Sequence, residues 1–235
     1  MTLAERSKIF ELSDMVIDVG ANSYDEVVEL FKIEPGAPIV PHAIFEYKKI
    51  NDTMIGKAFD NRLGCALVVE TLKAIKECEL KINVVGAISS QEEVGTRGSQ
   101  LTSKYIQPDV AIVFEGTPAD DSHRGPFERQ GALKSGTQIR HRDASMVGNP
   151  HIISHARELA KNKNITFKDA IRQGGGTDAG KIHLADKAVP TLVFGVPVRY
   201  AHTHFGISSY KDFKTTIEWS VEIIKDLDIN KIESF

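Results

Sequence analysis

The spacing of apolar residues divides the chain into two regions with different patterns of apolar and polar positions. Up to about residue 50, short apolar runs are broken by turn residues, and one short helix is indicated at 25–32. From about Met54 onward, short apolar and β-branched runs alternate with segments whose apolar positions recur at helical spacing. Strands that alternate with such helices are typical of an α/β layered domain, which is the fold class predicted here.

The second region contains the better-defined elements. Its strands are predicted at 82–89, 109–114, 136–141, 165–172 and 191–196, and its helices at 63–76, 149–161 and 210–227. Several strands lack the polar–apolar alternation of a half-exposed sheet, which favours burial of both faces. Asn149 is expected to cap the second of these helices, because Pro150 would then occupy the first helical position.

Composition excludes several classes of protein. The 235 residues carry 29 Lys and Arg against 32 Asp and Glu, a net charge of −3, so no strongly basic nucleic-acid-binding surface is expected. No apolar run approaches a membrane span, and the charged N-terminal stretch is unlike a signal peptide. A cytoplasmic globular protein is expected, with no nucleic-acid or membrane partner, and with Cys65 and Cys78 reduced and buried.

Acidic and imidazole side chains recur where predicted elements meet loops. Asp60 precedes the first strong helix, Glu92 and Glu93 follow the strand at 82–89, and Glu115 follows the strand at 109–114. His202 follows the strand at 191–196. Functional groups of open α/β sheets gather at strand ends. Carboxylates and imidazole together suit zinc, cobalt or manganese.

The Glu92–Glu93 pair is the most informative of these signals. Two adjacent carboxylates repel each other, and a cation bound by one leaves the other free to accept a proton from metal-activated water. Asp60 could bridge two metals with its two oxygens. Each residue also has an ordinary interpretation. Glu92 and Glu93 could lie in a solvated loop, Asp60 could cap a helix, His202 could be a surface or packed histidine, and Glu115 could pair with an arginine.

A glycine run at 174–176 is followed by Thr177 and Asp178. It is similar to a phosphate-binding loop but lacks the P-loop lysine and the dinucleotide spacing, so a loop that contacts substrate is favoured. Asp178 is expected to be the N-cap or a first-turn acid of the next helix. No G-x-S-x-G sequence is present, which disfavours a serine nucleophile.

Five segments together resemble one family. They are KAFDNR, QEEVGTRGS, FEGTPADD, RQGGGTDAGKIH and VRYAHTH, which occur in this order, and the resemblance extends from about residue 20 to about residue 227. The set resembles the M42 metallo-aminopeptidases, a family of glutamyl aminopeptidases and TET peptidases with some members labelled endoglucanases. The resemblance implies a phosphorylase/hydrolase-like α/β fold, a peptide substrate, two zinc or cobalt ions per subunit, and homo-oligomers from dimers to dodecamers.

The resemblance also implies a role for each candidate residue. Asp60 is similar to the carboxylate that bridges the two metals, and Glu92 to the general base. Glu93 and His202 match ligands of one metal, and Glu115 matches a ligand of the other. The glycine loop would shape the substrate pocket through Gly175, Gly176 and Thr177.

The chain departs from the family pattern at its beginning. Residues 1–53 are similar to a remnant of the family's small inserted β domain, which serves dimerisation, and residues 54–235 to a catalytic domain without its first strands. The family's upstream histidine ligand has no counterpart, which puts the second metal in doubt. The expected function is a metal-dependent aminopeptidase, and the alternative is a truncated, non-catalytic homologue that acts as a folded or assembly subunit. A glucanase is disfavoured, because paired acid and base carboxylates would leave Asp60, Glu93 and His202 without a shared role.

Overall fold

The structure is a computed structural model that describes residues 8–9 and 11–235. Its contacts divide the chain into two compact units, one up to Val40 and one over Pro41–Phe235. The described part of the first unit contains a 3₁₀-helix at Leu12–Asp14 and a π-helix at Glu26–Leu30, and none of its described residues is buried. The helix indicated at 25–32 is therefore present as a five-residue π-helix. The assignment of 1–53 to a β-domain remnant remains a prediction.

The second unit is a mixed α/β structure, as predicted. Its strands are β1 (Glu46–Lys48), β2 (Thr53–Gly56), β3 (Ala111–Pro118), β4 (Thr137–Arg142), β5 (Phe167–Ile171), β6 (Thr191–Arg199) and β7 (Gly206–Ser209). Its helices are α1 (Phe59–Ile75), α2 (Arg97–Ile106), α3 (Pro150–Asn162), α4 (Ala179–Ile182), α5 (Tyr210–Asp226) and α6 (Ile229–Glu233). None of the helices in the described ranges has the length and apolar composition needed to cross a bilayer.

Strand β6 is the centre of a seven-stranded sheet with the order β1-β2-β7-β6-β4-β5, and β3 also pairs with β6. The β3–β6 and β4–β5 pairs are parallel, and the other pairs are antiparallel. All residues of β6 from Thr191 to Val198 are buried. This confirms the prediction that the run at 191–196 is a strand covered on both faces.

Aromatic stacking joins the central strand to the last long helix. The Phe194 ring of β6 lies 4.3 Å from the Trp219 ring of α5, nearly parallel to it, and both side chains are fully buried. The indole N–H of Trp219 donates to the Ala156 carbonyl of α3 at 3.0 Å. One residue therefore ties two helices to the sheet, and its only polar atom has a partner.

Helix α3 begins as its sequence predicts. The side chain of Asn149 accepts hydrogen bonds from the backbone N–H groups of His151 and Ile152, and Pro150 is the first helical residue. Ile152, Ile153 and Ala156 then fall on the buried face of the helix. The N-cap prediction is confirmed.

The strand predicted at 82–89 is wrong. This segment has no strand assignment, and Val85 and Ile88 are 61% exposed. The apolar run has the composition of a strand, but a strand also needs a neighbour, and none of the described strands pairs with it. The remaining predicted strands are present as β3, β4, β5 and β6.

The prediction that both cysteines are buried is also wrong. Cys65 is exposed and Cys78 is partly exposed, and both are free thiols. Cys65 lies on α1 between the buried residues Leu63 and Leu67, but on a different face of the helix. The helical period places it away from the core, which composition alone cannot show.

Candidate metal centre

Three of the predicted ligands converge on one point. Asp60 stands at the start of α1, Glu93 in the loop before α2, and His202 in the turn after β6. The Nε2 atom of His202 lies 2.8 Å from Asp60 Oδ2 and 3.7 Å from Glu93 Oε2. One ligand atom from each residue lies within 4.8 Å of the others. Asp60 and His202 are 142 positions apart in the sequence, so only the tertiary fold brings them together.

Local backbone geometry presents Asp60 to this point. Ala58, just before α1, has a positive φ of 50°, and Asp60 itself has non-helical torsion angles. The preceding carbonyl, that of Phe59, packs directly on Gly116 of β3, where any β-carbon would overlap it. Gly116 therefore allows the backbone around Asp60 to lie against the sheet.

Asn61 anchors the same turn, and sequence reasoning missed it. Its side-chain amide donates to the Phe114 carbonyl at 2.7 Å and to the Glu115 carboxylate at 3.0 Å. Its side-chain oxygen accepts from the N–H groups of Gly64 and Gly116 at 2.9 and 3.1 Å. One amide thus joins α1 to β3 beside the candidate ligands. The residue lies in the KAFDNR segment, but three of its four bonds are to residues more than 50 positions away, which left no local signal.

Glu92 lies beside the three converging ligands and is partly buried. Burial, followed by repulsion from Glu93, Asp178 and Asp60, raises the pKa of its carboxyl group to about 7. Burial also raises the pKa of Asp60, with a further contribution from Glu93, while His202 acts in the opposite direction. A carboxylate that is half protonated near neutral pH has the basicity of a general base.

Glu115 is the most buried acid of the group, with 6% of its surface exposed. Burial, then repulsion from Asp60 and Glu92, raises the pKa of its carboxyl group well above the ordinary value. Arg140 acts in the opposite direction, but its guanidinium pairs directly with Asp143 at 2.9 Å. Glu115 therefore lies near an arginine without being its ion-pair partner, and no second group of three ligands is found within the described residues.

Asp178 lies close to the other acids of the site, which the sequence did not indicate. We call Asp60, Glu92, Glu93, Glu115 and Asp178 the acidic cluster. It precedes α4 as expected, yet its side chain makes no capping hydrogen bond. Its Oδ1 atom is buried and has no hydrogen-bond partner. Asp178 instead contributes to the raised pKa values of Glu92 and Glu115. A buried, unpartnered carboxylate oxygen among four other acids is a place where a cation or a cationic substrate group would be stabilised.

The glycine loop borders the cluster at Asp178. Gly175 has a positive φ of 74°, and a β-carbon at this residue would meet nothing within 4 Å. Its exposed backbone therefore leaves room for another molecule. Thr177, by contrast, is 1% exposed, and its hydroxyl accepts from the Ala179 N–H at 3.2 Å. Gly176 packs on Ser145, where a β-carbon would lie 3.0 Å from the side chain.

The donor set fits a divalent transition metal. Asp60, Glu93 and His202 offer two carboxylates and one imidazole with their ligand atoms close together, a donor set that would suit zinc. The five carboxyl groups of the acidic cluster repel one another when ionised, and a bound cation would relieve that repulsion. The arrangement can therefore hold a metal, with the carboxyl group of Glu92 beside it.

The chain is similar to solved and curated proteins over 94% or more of its length. The TET aminopeptidase from the marine sediment archaeon Thaumarchaeota archaeon SCGC AB-539-E09 matches with a TM-score of 0.95 and 36% identity, over 100% of this chain and 66% of that one. A curated protein of Acetivibrio thermocellus is 35% identical over 94% of this chain and 64% of its own length. The glutamyl aminopeptidase of Lactococcus lactis subsp. cremoris (strain MG1363) is 30% identical over 94% of this chain and 61% of that enzyme.

The chain thus spans somewhat less than two thirds of the length of these relatives. The model of one family, described as M42 glutamyl aminopeptidase, matches residues 1–219, which include every candidate ligand. This match and the fold likeness agree with the five sequence segments. The chain belongs to the M42 glutamyl aminopeptidase family.

Proposed function

We propose that this chain is a metal-dependent aminopeptidase that removes N-terminal residues from peptides. The observation that carries the proposal is the convergence of Asp60, Glu93 and His202 within 4.8 Å, beside the partly buried carboxyl group of Glu92. Family membership supports the same activity. No contact among the described residues favours the alternative of a non-catalytic subunit.

Asp60, Glu93 and His202 would hold the metal, and Asp60 has a second oxygen available to a further ion next to Glu115. When bound, a divalent cation such as zinc or cobalt supplies Lewis acidity, which polarises a carbonyl group and acidifies water. A second ion would have Asp60 and Glu115 as its candidate ligands, and no second group of three ligands is found within the described residues.

Glu92 would act as the general base and then as the general acid. In its half-buried position it accepts a proton from the attacking water and returns it to the amine that leaves when the peptide bond breaks. Neighbouring carboxylates, Asp178 among them, would also favour the positively charged N-terminus of a peptide. Gly175 and Gly176 would line the substrate pocket, with Thr177 fixing the turn into α4 through its bond to Ala179.

Zinc binding to the purified chain tests the ligand set. Isothermal titration with zinc should show at least one site per chain, and His202→Ala should bind it about tenfold more weakly or worse. His204→Ala is the matched control, because His204 is an exposed histidine two residues away that packs on Phe205 and belongs to no ligand group. Equal zinc affinity in His202→Ala and the wild type would overturn the assignment.

Three finer points stay predictions within this proposal. They are the identity of the native metal, assembly into a homo-oligomer, and a cytoplasmic location. Metal analysis of protein purified from its source and light scattering of the same sample would test the first two. Cell fractionation would test the third.

A further inference from the structure

The candidate ligand His202 lies in the turn that joins β6 to β7. Strand β6 ends at Arg199 and β7 begins at Gly206, so the chain reverses its direction over residues 200–205. We call these residues the ligand turn. The side chain of His202 is 67% exposed, so few neighbouring atoms pack against its imidazole ring. The position of the ring therefore depends on the backbone that carries it.

The backbone of the ligand turn is strained at two residues. Tyr200 and His202 both have a φ of 61°, in the left-handed region that residues with a β-carbon seldom adopt. Such conformations persist only where surrounding contacts stabilise them, and they are frequent at functional sites. We therefore looked for the contacts that hold these two residues in place.

The hydroxyl group of Thr203 supplies the first contact. It donates to the Tyr200 carbonyl at 2.7 Å and to the Phe205 carbonyl at 3.0 Å, so one side chain links both ends of the ligand turn. The backbone of His202 lies between these two linked points. Thr203 is exposed, so packing of its methyl group contributes little, and the hydroxyl is the part of the residue that acts on the turn.

An ion pair fixes the backbone just before the ligand turn. The guanidinium group of Arg199 donates through Nε and Nη2 to the two carboxylate oxygens of Asp121, both at 2.8 Å. A pair with two parallel bonds fixes direction as well as distance. The Asp121 side chain is only 7% exposed, and it also accepts from the Leu133 N–H at 3.0 Å. Arg199 is therefore attached to a carboxylate that is itself firmly held.

The two contacts act on the same short stretch of backbone. Arg199 directly precedes Tyr200, the first strained residue, and Thr203 directly follows His202, the second. With both contacts made, the Nε2 atom of His202 lies 2.8 Å from the Asp60 carboxylate. A ligand that is already in place before the metal arrives loses less conformational freedom on binding, which strengthens binding.

From this geometry we propose that Thr203 and Arg199 are positioning residues for His202, which hold the ligand turn in the conformation that brings its imidazole to Asp60. The proposal rests on the proposed function, in which His202 is a metal ligand. Loss of either contact should allow other conformations of the ligand turn. The apparent affinity for zinc then falls in proportion to the fraction of molecules that keep the conformation shown here.

Zinc titration of the full chain tests the role of Thr203. Thr203→Val replaces the hydroxyl with a methyl group of similar size and should weaken zinc binding about three- to tenfold, the factor that corresponds to one hydrogen bond. Thr203→Ser keeps the hydroxyl and should bind zinc as the wild type does. Thr166→Val is the matched control, since Thr166 is exposed and its hydroxyl makes no hydrogen bond within the described residues.

Arg199→Lys tests the role of the ion pair. Lysine keeps the positive charge but loses the planar group that makes two parallel bonds, so zinc should again bind about three- to tenfold more weakly. A role in general stability is distinguished by the melting temperature of the metal-free chain. In Thr203→Val it should change little, because the lost contact is exposed.

The imidazole signals of His202 provide a measurement without metal. In proton–carbon NMR spectra of the metal-free chain, these signals are assigned by their absence in His202→Ala. They should shift or broaden in Thr203→Val and in Arg199→Lys, and should stay unchanged in Thr203→Ser and Thr166→Val. These spectra decide the proposal even if the wild type binds no zinc, a result that would count against the proposed function.

Three results would overturn the proposal. The first is a set of His202 imidazole signals in Thr203→Val that equals that of the wild type. The second is wild-type zinc affinity in Thr203→Val when the wild type binds zinc. The third is a loss of affinity in Thr203→Ser or Thr166→Val as large as that in Thr203→Val, since the hydroxyl bonds would then not be its cause.

Discussion

Replacement of Asn61 by alanine should destabilise the fold strongly. The substitution removes four hydrogen bonds, to Phe114, Glu115, Gly64 and Gly116. Each such bond contributes about 0.5–1.5 kcal/mol net, and a partly buried partner left unpaired costs a similar amount. With some compensation by water, the expected loss in free energy of unfolding is about 2–4 kcal/mol.

Urea denaturation followed by Trp219 fluorescence measures this loss, because Trp219 is the only tryptophan and is fully buried. For a slope of about 2–3 kcal/mol/M, the unfolding midpoint of Asn61→Ala should fall by about 1 M. Asn51→Ala is the matched control. Asn51 is exposed and makes no side-chain hydrogen bond within the described residues, so its midpoint should change little.

A loss below about 0.5 kcal/mol for Asn61→Ala would refute the reasoning. It would mean that the amide does not join α1 to β3 in solution. An equal loss in Asn51→Ala would refute it too, since the effect would then be unrelated to these four bonds.

Three further predictions follow from individual contacts. Trp219→Ala should lower the free energy of unfolding by about 3–5 kcal/mol in thermal or urea melts, since it leaves a large cavity in the core. A loss under about 1 kcal/mol would contradict this. Gly116→Ala should weaken zinc binding in titrations, because its β-carbon overlaps the Phe59 carbonyl and displaces the start of α1; unchanged affinity would count against that contact. Burial raises the pKa of Asp143, but bonds from Ser145 and an arginine outweigh it and hold the pKa below 3.8. The Asp143 carboxylate therefore adds its full contribution to the free energy of unfolding above the pKa of the unfolded chain, and loses it as pH falls through the lower pKa of the folded protein. Asp143→Asn should flatten the acid side of a plot of stability against pH, and an unchanged plot would refute this.

The sequence predicts best those elements whose signals are local. The N-cap at Asn149 and the buried strand β6 follow from residue type and spacing within one segment, and both are present. The segment at 82–89 has the same kind of apolar pattern but no strand assignment. Pairing depends on a neighbouring strand, which a single segment cannot specify.

The candidate ligands were predicted one by one from their positions near strand ends. Their convergence depends on the positive φ at His202 and on the close approach at Gly116, and neither is visible in composition or periodicity. Asn61 and Asp178 were missed as site residues for a similar reason. Three of the four partners of Asn61 lie more than 50 positions away. The position of Asp178 before α4 indicates a helix cap, but its side chain makes no capping hydrogen bond.

The most direct test of the central claim is release of chromophore from aminoacyl anilides by the zinc- or cobalt-loaded chain. The wild type should hydrolyse at least one such substrate, and Glu92→Gln should lower kcat by about 10²–10⁴-fold while still binding metal. Metal binding in the variant separates loss of the base from loss of the site. A metal-loaded wild type that releases no chromophore, or a Glu92→Gln variant as active as the wild type, would contradict the account.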